Sequence, residues 1–146
     1  MTIRKANQRE LEEIMAYALH VLQEASMGHI PPTDEKAFQM VEPFLKQGGY
    51  YLVYAEQDVL MGWIAVGSTI DHYQDKPAGM IPELYVLSHY RGQGIAEDLC
   101  RAALAHLQEA DFDTVMLNVF AGNSIKSLYE ELGFQEVSSL LSLRLK

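Results

Sequence analysis

The sequence predicts one α/β (α+β) domain with a mixed, mostly antiparallel central sheet of six to seven strands and about four helices. Stretches with helical spacing of apolar residues alternate with short strand-like runs, and two strand–helix–strand successions occur in the second half. The chain has 146 residues, of which 49% are hydrophobic, and it contains no internal repeat or low-complexity tract. These values suit a single domain over residues 1–146, with elements in the order β-α-α-β-β-β-α-β-α-β.

The composition argues against several classes of protein. Twenty acidic and eleven basic residues give a net charge of −9 without a basic stripe, so nucleic acid is not an expected partner. A cationic partner is favoured, although acidity that only maintains solubility explains the same count. No apolar run is long enough to cross a bilayer, and the first residues lack a signal-peptide pattern. The single cysteine, Cys100, predicts a reducing compartment, so we expect a cytoplasmic protein without a membrane partner.

The chain begins with a predicted strand over residues 2–6, which two helices follow. Asn7 and Glu10 resemble a capping box, in which each side chain bonds to the backbone N–H of the other, so the first helix begins there. Glycine and two prolines within residues 28–33 end this helix. The second helix is predicted over residues 34–47.

A hairpin and a buried strand come next. Residues 50–56 and 59–70 are predicted as strands that residues 57–58 join in a tight turn. A polar loop is expected over residues 71–78. Residues 80–87 form a near-continuous apolar run, which fits a strand buried on both faces.

Helices and strands alternate in the remainder of the chain. Residues 92–110 form the clearest amphipathic helix, a strand is predicted over residues 114–120, and a short helix over residues 123–132. Gly133 is placed to end that helix in the left-handed conformation. Residues 134–145 are expected to finish the sheet as one bent strand or two. The crossover through the long helix predicts parallel strands there.

Residues 90–96, Tyr-Arg-Gly-Gln-Gly-Ile-Ala, lie between the buried strand and the long helix. Free N–H groups in the first turn of a helix bind anions, and Gly92 and Gly94 let the backbone approach a ligand. An acidic chain that binds a polyanion needs such a local device. A tight strand-to-helix turn is the alternative explanation of these glycines. Their spacing matches neither a Walker loop nor the dinucleotide-binding fingerprint.

Two separated motifs resemble those of the GNAT (GCN5-related N-acetyltransferase) superfamily. Residues 83–96, Glu-Leu-Tyr-Val-Leu-Ser-His-Tyr-Arg-Gly-Gln-Gly-Ile-Ala, are similar to its motif A, whose signature Q/R-x-x-G-x-G/A matches Arg91, Gly94 and Ala96. Residues 118–134 are similar to its motif B. The predicted order of elements also matches over nearly the whole chain. The motifs identify the superfamily and not the substrate.

The resemblance implies acetyl-CoA, or a related acyl-CoA, as the acyl donor. It further implies that the strands over residues 80–87 and 114–119 splay apart and that the pantetheine arm lies in the gap. The residues so implied to bind the donor come from the buried strand, the glycine-rich turn and the second motif: Leu84, Tyr85, Val86, Arg91, Gly92, Gln93, Gly94, Ile95, Ala96, Asn118, Asn123 and Lys126.

The reaction that the resemblance implies is direct attack of an amine on the thioester. An alkylammonium has a pKa of about 10.4, so a base must accept a proton near neutral pH, and the departing thiolate benefits from gaining one. Tyr129 matches the usual general acid of the family, and the alternative for it is a packing tyrosine. Glu83 is the candidate base, acting directly or through water. Attraction of a cationic substrate, or pairing with a neighbour, explains Glu83 equally well.

Other polar and reactive residues are weaker candidates. Cys100 falls on the buried stripe of the long helix, so a core residue is favoured over an acyl-enzyme nucleophile. The five histidines lack ligand spacing, so no metal site is predicted. Residues in two loops are expected to flank the acceptor, and acids among them would favour a cation: His29, Asp71, His72, Tyr73 and Asp75.

The leading hypothesis is therefore an N-acetyltransferase that acts on a small amine, a polyamine or a peptide amine. The second hypothesis is a non-catalytic acyl-CoA-binding sensor or interaction domain. The third is an unrelated nucleotide-binding α/β domain, which predicts binding of ATP or NAD instead. The chain is expected to act as a monomer or a homodimer.

Overall fold

The computed structural model describes residues 2–146 and confirms the predicted α/β fold. Six strands form one sheet in the order β1-β2-β3-β4-β6, and β5 pairs with β3 beside β4. The elements are β1 Thr2–Lys5, α1 Gln8–Ala16, α2 Ala18–Ala25, α3 Asp34–Lys46, β2 Tyr50–Glu56, β3 Val59–Asp71, β4 Lys76–Met80, β5 Leu84–Val86, a 3-10 turn Ser88–Tyr90, α4 Ile95–Glu109, β6 Val115–Met116 and α5 Lys126–Glu131. None of the helices within residues 2–146 is long and apolar enough to cross a membrane.

The capping box at the first helix is confirmed. The Glu10 N–H donates to Oδ1 of Asn7 at 2.8 Å, and the Asn7 N–H donates to the Glu10 carboxylate at 3.0 Å. Arg4 on β1 also donates to both oxygens of Glu10, at 2.6 and 2.9 Å, and this bond lowers the pKa of the nearly sealed Glu10 carboxyl. Glu10 therefore joins the first strand to the first helix.

The prediction of one unbroken helix after Asn7 is wrong, because α1 and α2 meet at Tyr17. The Tyr17 ring lies with its centroid 5.8 Å from that of Trp63, which is fully buried in the sheet. This tertiary contact has no counterpart in the helical spacing of the sequence. The predicted hairpin is confirmed, and both of its turn residues, Gln57 and Asp58, have positive φ values of 50° and 66°.

The strand β3 pairs with β2 along one edge and with β4 and then β5 along the other. The predicted loop over residues 71–78 is too long, because β4 already begins at Lys76. The single strand predicted over residues 80–87 is in fact β4 and β5. Between the pairs Gly67↔Met80 and Ile64↔Leu84, three residues stand opposite two residues of β3, which is a β-bulge. Pro82 lies in this bulge and has no N–H for the ladder.

The parallel pair that the crossover predicted is confirmed between β4 and β6. It ends early, however, since only Val115 and Met116 of the predicted strand over residues 114–120 are paired. Beyond the bulge, β5 follows β3 and no longer accompanies the chain after Met116. The two strands therefore separate at this point, as the family resemblance implied.

Each face of the sheet has its own hydrophobic cluster. On one face α4 buries the stripe that the sequence predicted, including Leu99, Cys100, Ala103 and Leu107, against the sheet. The helix begins at Ile95 rather than at Gly92, so residues 92–94 form a loop. The other face is covered by α1, α2 and α3 around Trp63.

The strand predicted over residues 134–145 is wrong. After α5, Gly133 has φ 106° as expected, but residues 135–146 make no strand pair within the described chain and are exposed throughout. Apolar side chains in this segment are 73–98% exposed, among them Val137 and Leu140. A strand forms only beside a neighbouring strand, and no strand within the described residues pairs with this segment.

Replacement of Gly62 by alanine is expected to destabilise the protein by about 1–3 kcal/mol. A Cβ at this position would lie 2.9 Å from the backbone oxygen of Tyr85, so β5 would have to move away from β3. The free energy of unfolding in urea measures the loss. Gly67→Ala is the matched control on the same strand, since its Cβ would meet the side chain of Phe44 at 3.0 Å, and a side chain can turn aside. Equal losses in the two variants would contradict the close approach of β5.

Candidate functional site

The turn between the 3-10 segment and α4 presents a run of free backbone donors. The N–H groups of residues 92–97 have no acceptor anywhere in residues 2–146, because the first bond of α4 runs from the Asp98 N–H to the Gly94 oxygen at 3.1 Å. Gly92 and Gly94 have φ values of 81° and 82°, and a Cβ on either would point into open space. Their role is thus the left-handed backbone, a conformation in which successive N–H groups can converge on an anion. We call residues 92–97 the amide cradle.

The Arg91 side chain turns away from the amide cradle. Its Nε donates to the Val86 oxygen at 2.8 Å, and its Nη2 pairs with Oε2 of Glu24 on α2 at 3.0 Å. The guanidinium also lies 5.2 Å from the ring centroid of Tyr85. Arg91 therefore ties the end of β5 to α2, whereas the resemblance implied a contact with the donor.

Tyr85 and Glu24 form the other half of this contact. Burial, together with a hydrogen bond to Glu24 and the charge of Glu24, raises the pKa of the Tyr85 phenol to about 12, although Arg91 opposes the rise. Burial also acts to raise the pKa of Glu24, but hydrogen bonds from Tyr85 and Arg91 outweigh it and lower that pKa below its usual value. Glu24 therefore remains ionised at neutral pH beside the Arg91 side chain.

The outer edge of β5 is available for pairing. The Glu83 oxygen and the Leu87 N–H both bond to β3, so the alternation of a strand directs the backbone groups of Leu84 and Val86 the opposite way. The Val86 oxygen accepts Arg91, and the Val86 N–H has no acceptor within the described chain. An extended ligand can therefore add along Leu84 and Val86 in the gap between β5 and the chain after β6.

Glu83 lies in the bulge at the start of this gap. Its Oε2 accepts the indole N–H of Trp63 at 2.6 Å. Burial raises the pKa of the Glu83 carboxyl above its usual value, and the indole bond opposes that rise only in part. Glu83 thus pairs with a neighbour, as one of the alternatives from the sequence proposed. The indole is a neutral donor and binds only one carboxylate oxygen, so the second oxygen can accept a proton.

Tyr129 lies on α5 against Cys100 of α4 and the ring of Phe134, at a centroid distance of 5.7 Å. Burial raises the pKa of the Tyr129 phenol, so the hydroxyl is protonated near neutral pH. This hydroxyl has no hydrogen-bond partner in the described part of the chain, and it is not sealed from solvent either. The Cys100 thiol is buried, and its pKa is raised to about 12, which makes it a poor nucleophile.

The remaining residues of the second motif join the loop after β6 to α2. Asn123 donates from Nδ2 to the Ala25 oxygen at 3.3 Å and accepts the Ile125 N–H at 3.1 Å, so its amide shapes the loop. Lys126 lies 3.6 Å from the Glu136 carboxylate and is partly exposed. Asn118 is exposed at the unpaired part of the strand.

The loop residues predicted to flank the acceptor lie at two different places in the structure. Asp71 is buried and accepts the N–H groups of Tyr73 and Gln74, so it caps the turn between β3 and β4. Tyr73 and His72 are exposed at that turn. His29 instead stacks on Phe120 at a centroid distance of 5.9 Å, which brings the loop after α2 to the gap. A recess of about 200 Å³ lies beside Pro82, and its other lining residues are Phe44, Gln47, Gly49, Gly67, Ser68, Thr69 and Met80.

Sequence reasoning missed Glu24 as a functional residue. It lies on α2 four residues after His20, whose Nε2 is 3.7 Å away, and it reaches Arg91 only because α2 crosses the end of β5. No local pattern contains that crossing. Within residues 2–146 no group of three or more His, Cys, Asp or Glu side chains is arranged to hold a metal ion.

Comparison with known proteins gives one family and several related folds. The model of the Acetyltransferase (GNAT) family matches residues 11–134. A mycothiol acetyltransferase of Corynebacterium glutamicum is 33% identical over 90 residues, which are 59% of this chain and 31% of that protein. The chain thus spans about a third of the length of the curated relatives it matches.

Among solved structures, a Pyrococcus furiosus protein provisionally described as an acetyl transferase has a TM-score of 0.85 and 23% identity, over 99% of both chains. A predicted acetyltransferase of Clostridium acetobutylicum, solved with acetyl-CoA, has a TM-score of 0.75 and 19% identity, over 99% of this chain and 96% of that one. These two likenesses show that the whole fold is shared.

Proposed function

This chain belongs to the GNAT acetyltransferase family, and on that premise we propose that it transfers an acetyl group from acetyl-CoA to the nitrogen of an amine. The observation that most supports a CoA ester as donor is the amide cradle, with six consecutive free N–H groups at the start of α4. A pyrophosphate needs several convergent donors, and an acidic chain has few cations to spare. The solved acetyl-CoA complex of a protein with the same fold is consistent with this donor.

The free edge of β5 supports the position of the pantetheine arm. The amide groups of the pantetheine arm would pair with the backbone of Leu84 and Val86, while the pyrophosphate occupies the amide cradle that follows the same strand. The thioester would then lie toward the bulge, between Glu83 and the hydroxyl of Tyr129. Asn118 and Lys126 would flank the donor from the loop after β6, with Lys126 near a phosphate.

The chemistry that these groups support is direct transfer. The amine nitrogen forms a bond to the thioester carbon and the bond from that carbon to sulfur breaks. The carboxylate of Glu83 accepts the proton that the amine must lose, and the Tyr129 phenol donates to the departing CoA thiolate. A backbone N–H near Val86 would hold the oxygen on which negative charge develops.

A cationic amine is the acceptor class that the charges favour. The net charge of −9 draws cations to the protein, and Glu83 is a carboxylate at the gap itself. Asp71 contributes less than expected, because turn N–H groups occupy its carboxylate. Residues around His29 and Phe120 would contact the rest of the acceptor.

A non-catalytic acyl-CoA-binding domain is the second candidate, since the amide cradle and the edge of β5 serve it equally well. The hydroxyl of Tyr129 favours the enzyme, because it has no hydrogen-bond partner within residues 2–146 and is open to solvent, so it is available to a bound ligand.

Acetyl-CoA at 100 times its Kd is expected to raise the free energy of unfolding by about 2.7 kcal/mol, whereas ATP and NAD should not. Gly94→Ala should weaken acetyl-CoA binding about tenfold or more, because a Cβ disfavours the φ of 82° that orients the amide cradle. Gly48→Ala, with φ 93° and open space around its Cβ, is the control of equal strain away from the cradle. Denaturation with and without ligand measures both effects. Absence of any shift with CoA esters would rule out the donor.

Tyr129→Phe is expected to lower kcat about 100-fold with little change in acetyl-CoA affinity, since the phenol acts on the leaving thiolate. Release of free thiol, followed with a panel of amines, measures turnover, and calorimetry measures binding. Tyr54→Phe removes a hydroxyl from a ring that packs on the same hydrophobic cluster and should retain activity. Unchanged turnover in Tyr129→Phe would exclude the general acid, and no turnover of the parent protein with any amine would favour the sensor.

The pH dependence of kcat is expected to follow Glu83. Burial raises the pKa of this carboxyl, so the base should be protonated, and the rate should fall, at a pH above the ordinary glutamate value of about 4.3. Glu83→Gln should lower kcat and remove this acidic limb, while Glu13→Gln on the exposed face of α1 should change neither. A higher KM with the acidic limb preserved would mean that Glu83 only attracts the cation.

A further inference from the structure

The last twelve residues of the chain have a sequence pattern typical of a strand, but no strand within the described residues lies beside them. From Leu141 to Lys146 apolar and polar residues alternate strictly, with Leu141, Leu143 and Leu145 on one side of the alternation. Such a pattern is typical of a strand with one face on a hydrophobic core. Yet Leu141, Leu143 and Leu145 are 84–89% exposed. We call residues 135–146 the leucine segment.

The backbone of the leucine segment is equally unpartnered. Within the described chain it makes no bond to another backbone group. The hydrogen bonds there are local and come from side chains: Oγ of Ser139 donates to the Glu136 carboxylate, and Nε of Arg144 donates to the Lys146 oxygen. Lys126 on α5 pairs with Glu136 at 3.6 Å and so holds only the start of the segment. Monomeric proteins rarely expose apolar side chains in such a contiguous row, which marks this segment as an interaction surface.

The same chain leaves a sheet edge open. This edge belongs to β6. Bonds from the Gly79 N–H to the Thr114 oxygen and from the Ile81 N–H to the Met116 oxygen direct alternate residues of β6 toward β4. Val115, Leu117 and Val119 therefore present their N–H and C=O groups to the opposite side, where no described residue bonds to them. The hydrophobic cluster under α4 also ends here with half-buried side chains, including Val115, Leu117 and Phe134.

We propose that the leucine segment of one copy pairs with the free edge of β6 in a second copy, and that the exchange is reciprocal in a two-fold dimer. The leucine segment and the free edge of β6 belong to the same chain. Two copies can therefore pair both of them at once and leave neither of these two without a partner. Residues 140–146 would span about 23 Å as a strand, and they equal in number residues 114–120, which comprise β6 and the chain on either side of it. The leucines would cover the exposed end of the hydrophobic cluster of the partner.

Charge supports a second copy as the partner. The leucine segment has two bases and one acid, whereas the rest of the chain has nine bases and nineteen acids. A weakly basic strand thus adds to an acidic body, which reduces the repulsion between two chains of net charge −9. The dimer would also brace the strand that forms one wall of the gap beside β5.

The test is the mass of the protein in solution together with hydrogen exchange of its backbone amides. The parent chain at about 100 μM should have the mass of a dimer in light scattering, and the amides of Val115, Leu117, Val119 and residues 140–146 should be protected. Leu141→Asp with Leu143→Asp should give a monomer and at least a 100-fold higher dissociation constant, with both sets of amides unprotected. Ser138→Asp with Ser142→Asp is the control, because it adds the same charge on the other side of the alternation and should remain a dimer.

Three results would overturn the exchange. A monomeric parent chain with protected residues 140–146 would mean that the segment folds onto its own edge. A dimer in which these amides exchange freely would place the contact elsewhere, and so would a leucine variant that remains a dimer. Circular dichroism checks that the variants fold, and the exchange pattern of the parent protein decides the question if they do not.

Discussion

The single extra residue between β4 and β5 is the constraint on which the site depends. Both strands bond to the same edge of β3, but three residues, Ile81 to Glu83, stand opposite two. Pro82 cannot contribute an N–H there, so the ladder breaks and β5 leaves the parallel strand β6. The break opens the gap, frees the outer edge of β5 and places Glu83 at its start. Gly62 allows β5 to remain tight against β3 despite the bulge, since a Cβ would meet the Tyr85 oxygen.

The structure uses backbone rather than cations to receive an anion. Arg91 is engaged by Val86 and Glu24, so it is not available as a dedicated phosphate ligand, and Lys126 is shared with Glu136. The amide cradle compensates, because its six N–H groups have no other acceptor within residues 2–146. The left-handed glycines and the N-terminus of α4 together concentrate positive potential in an otherwise acidic protein.

Burial has different chemical consequences for the two proposed proton-transfer groups. It raises the pKa of both Glu83 and Tyr129, yet the consequences differ. A carboxylate with a raised pKa is a better base nearer neutral pH, while a phenol with a raised pKa simply retains its proton and can donate it to a developing thiolate. Burial on the two faces of the sheet, beside Trp63 for Glu83 and beside Cys100 for Tyr129, therefore favours a base and an acid on opposite sides of the gap.

The sequence alone determined the features that depend on near neighbours in the chain. The capping box at Asn7, the buried stripe of α4 and the glycine-rich turn of the cradle all follow from residues a few positions apart, and the two motifs placed Tyr129 and Glu83 in one family pattern. Tertiary structure decided the rest. The turn of Arg91 toward Glu24 requires α2 to cross β5, and the division of residues 80–87 requires the register of β3. Whether the leucine segment is a strand depends on a neighbouring edge, because alternation creates only the capacity to pair, and pairing requires a second strand in space.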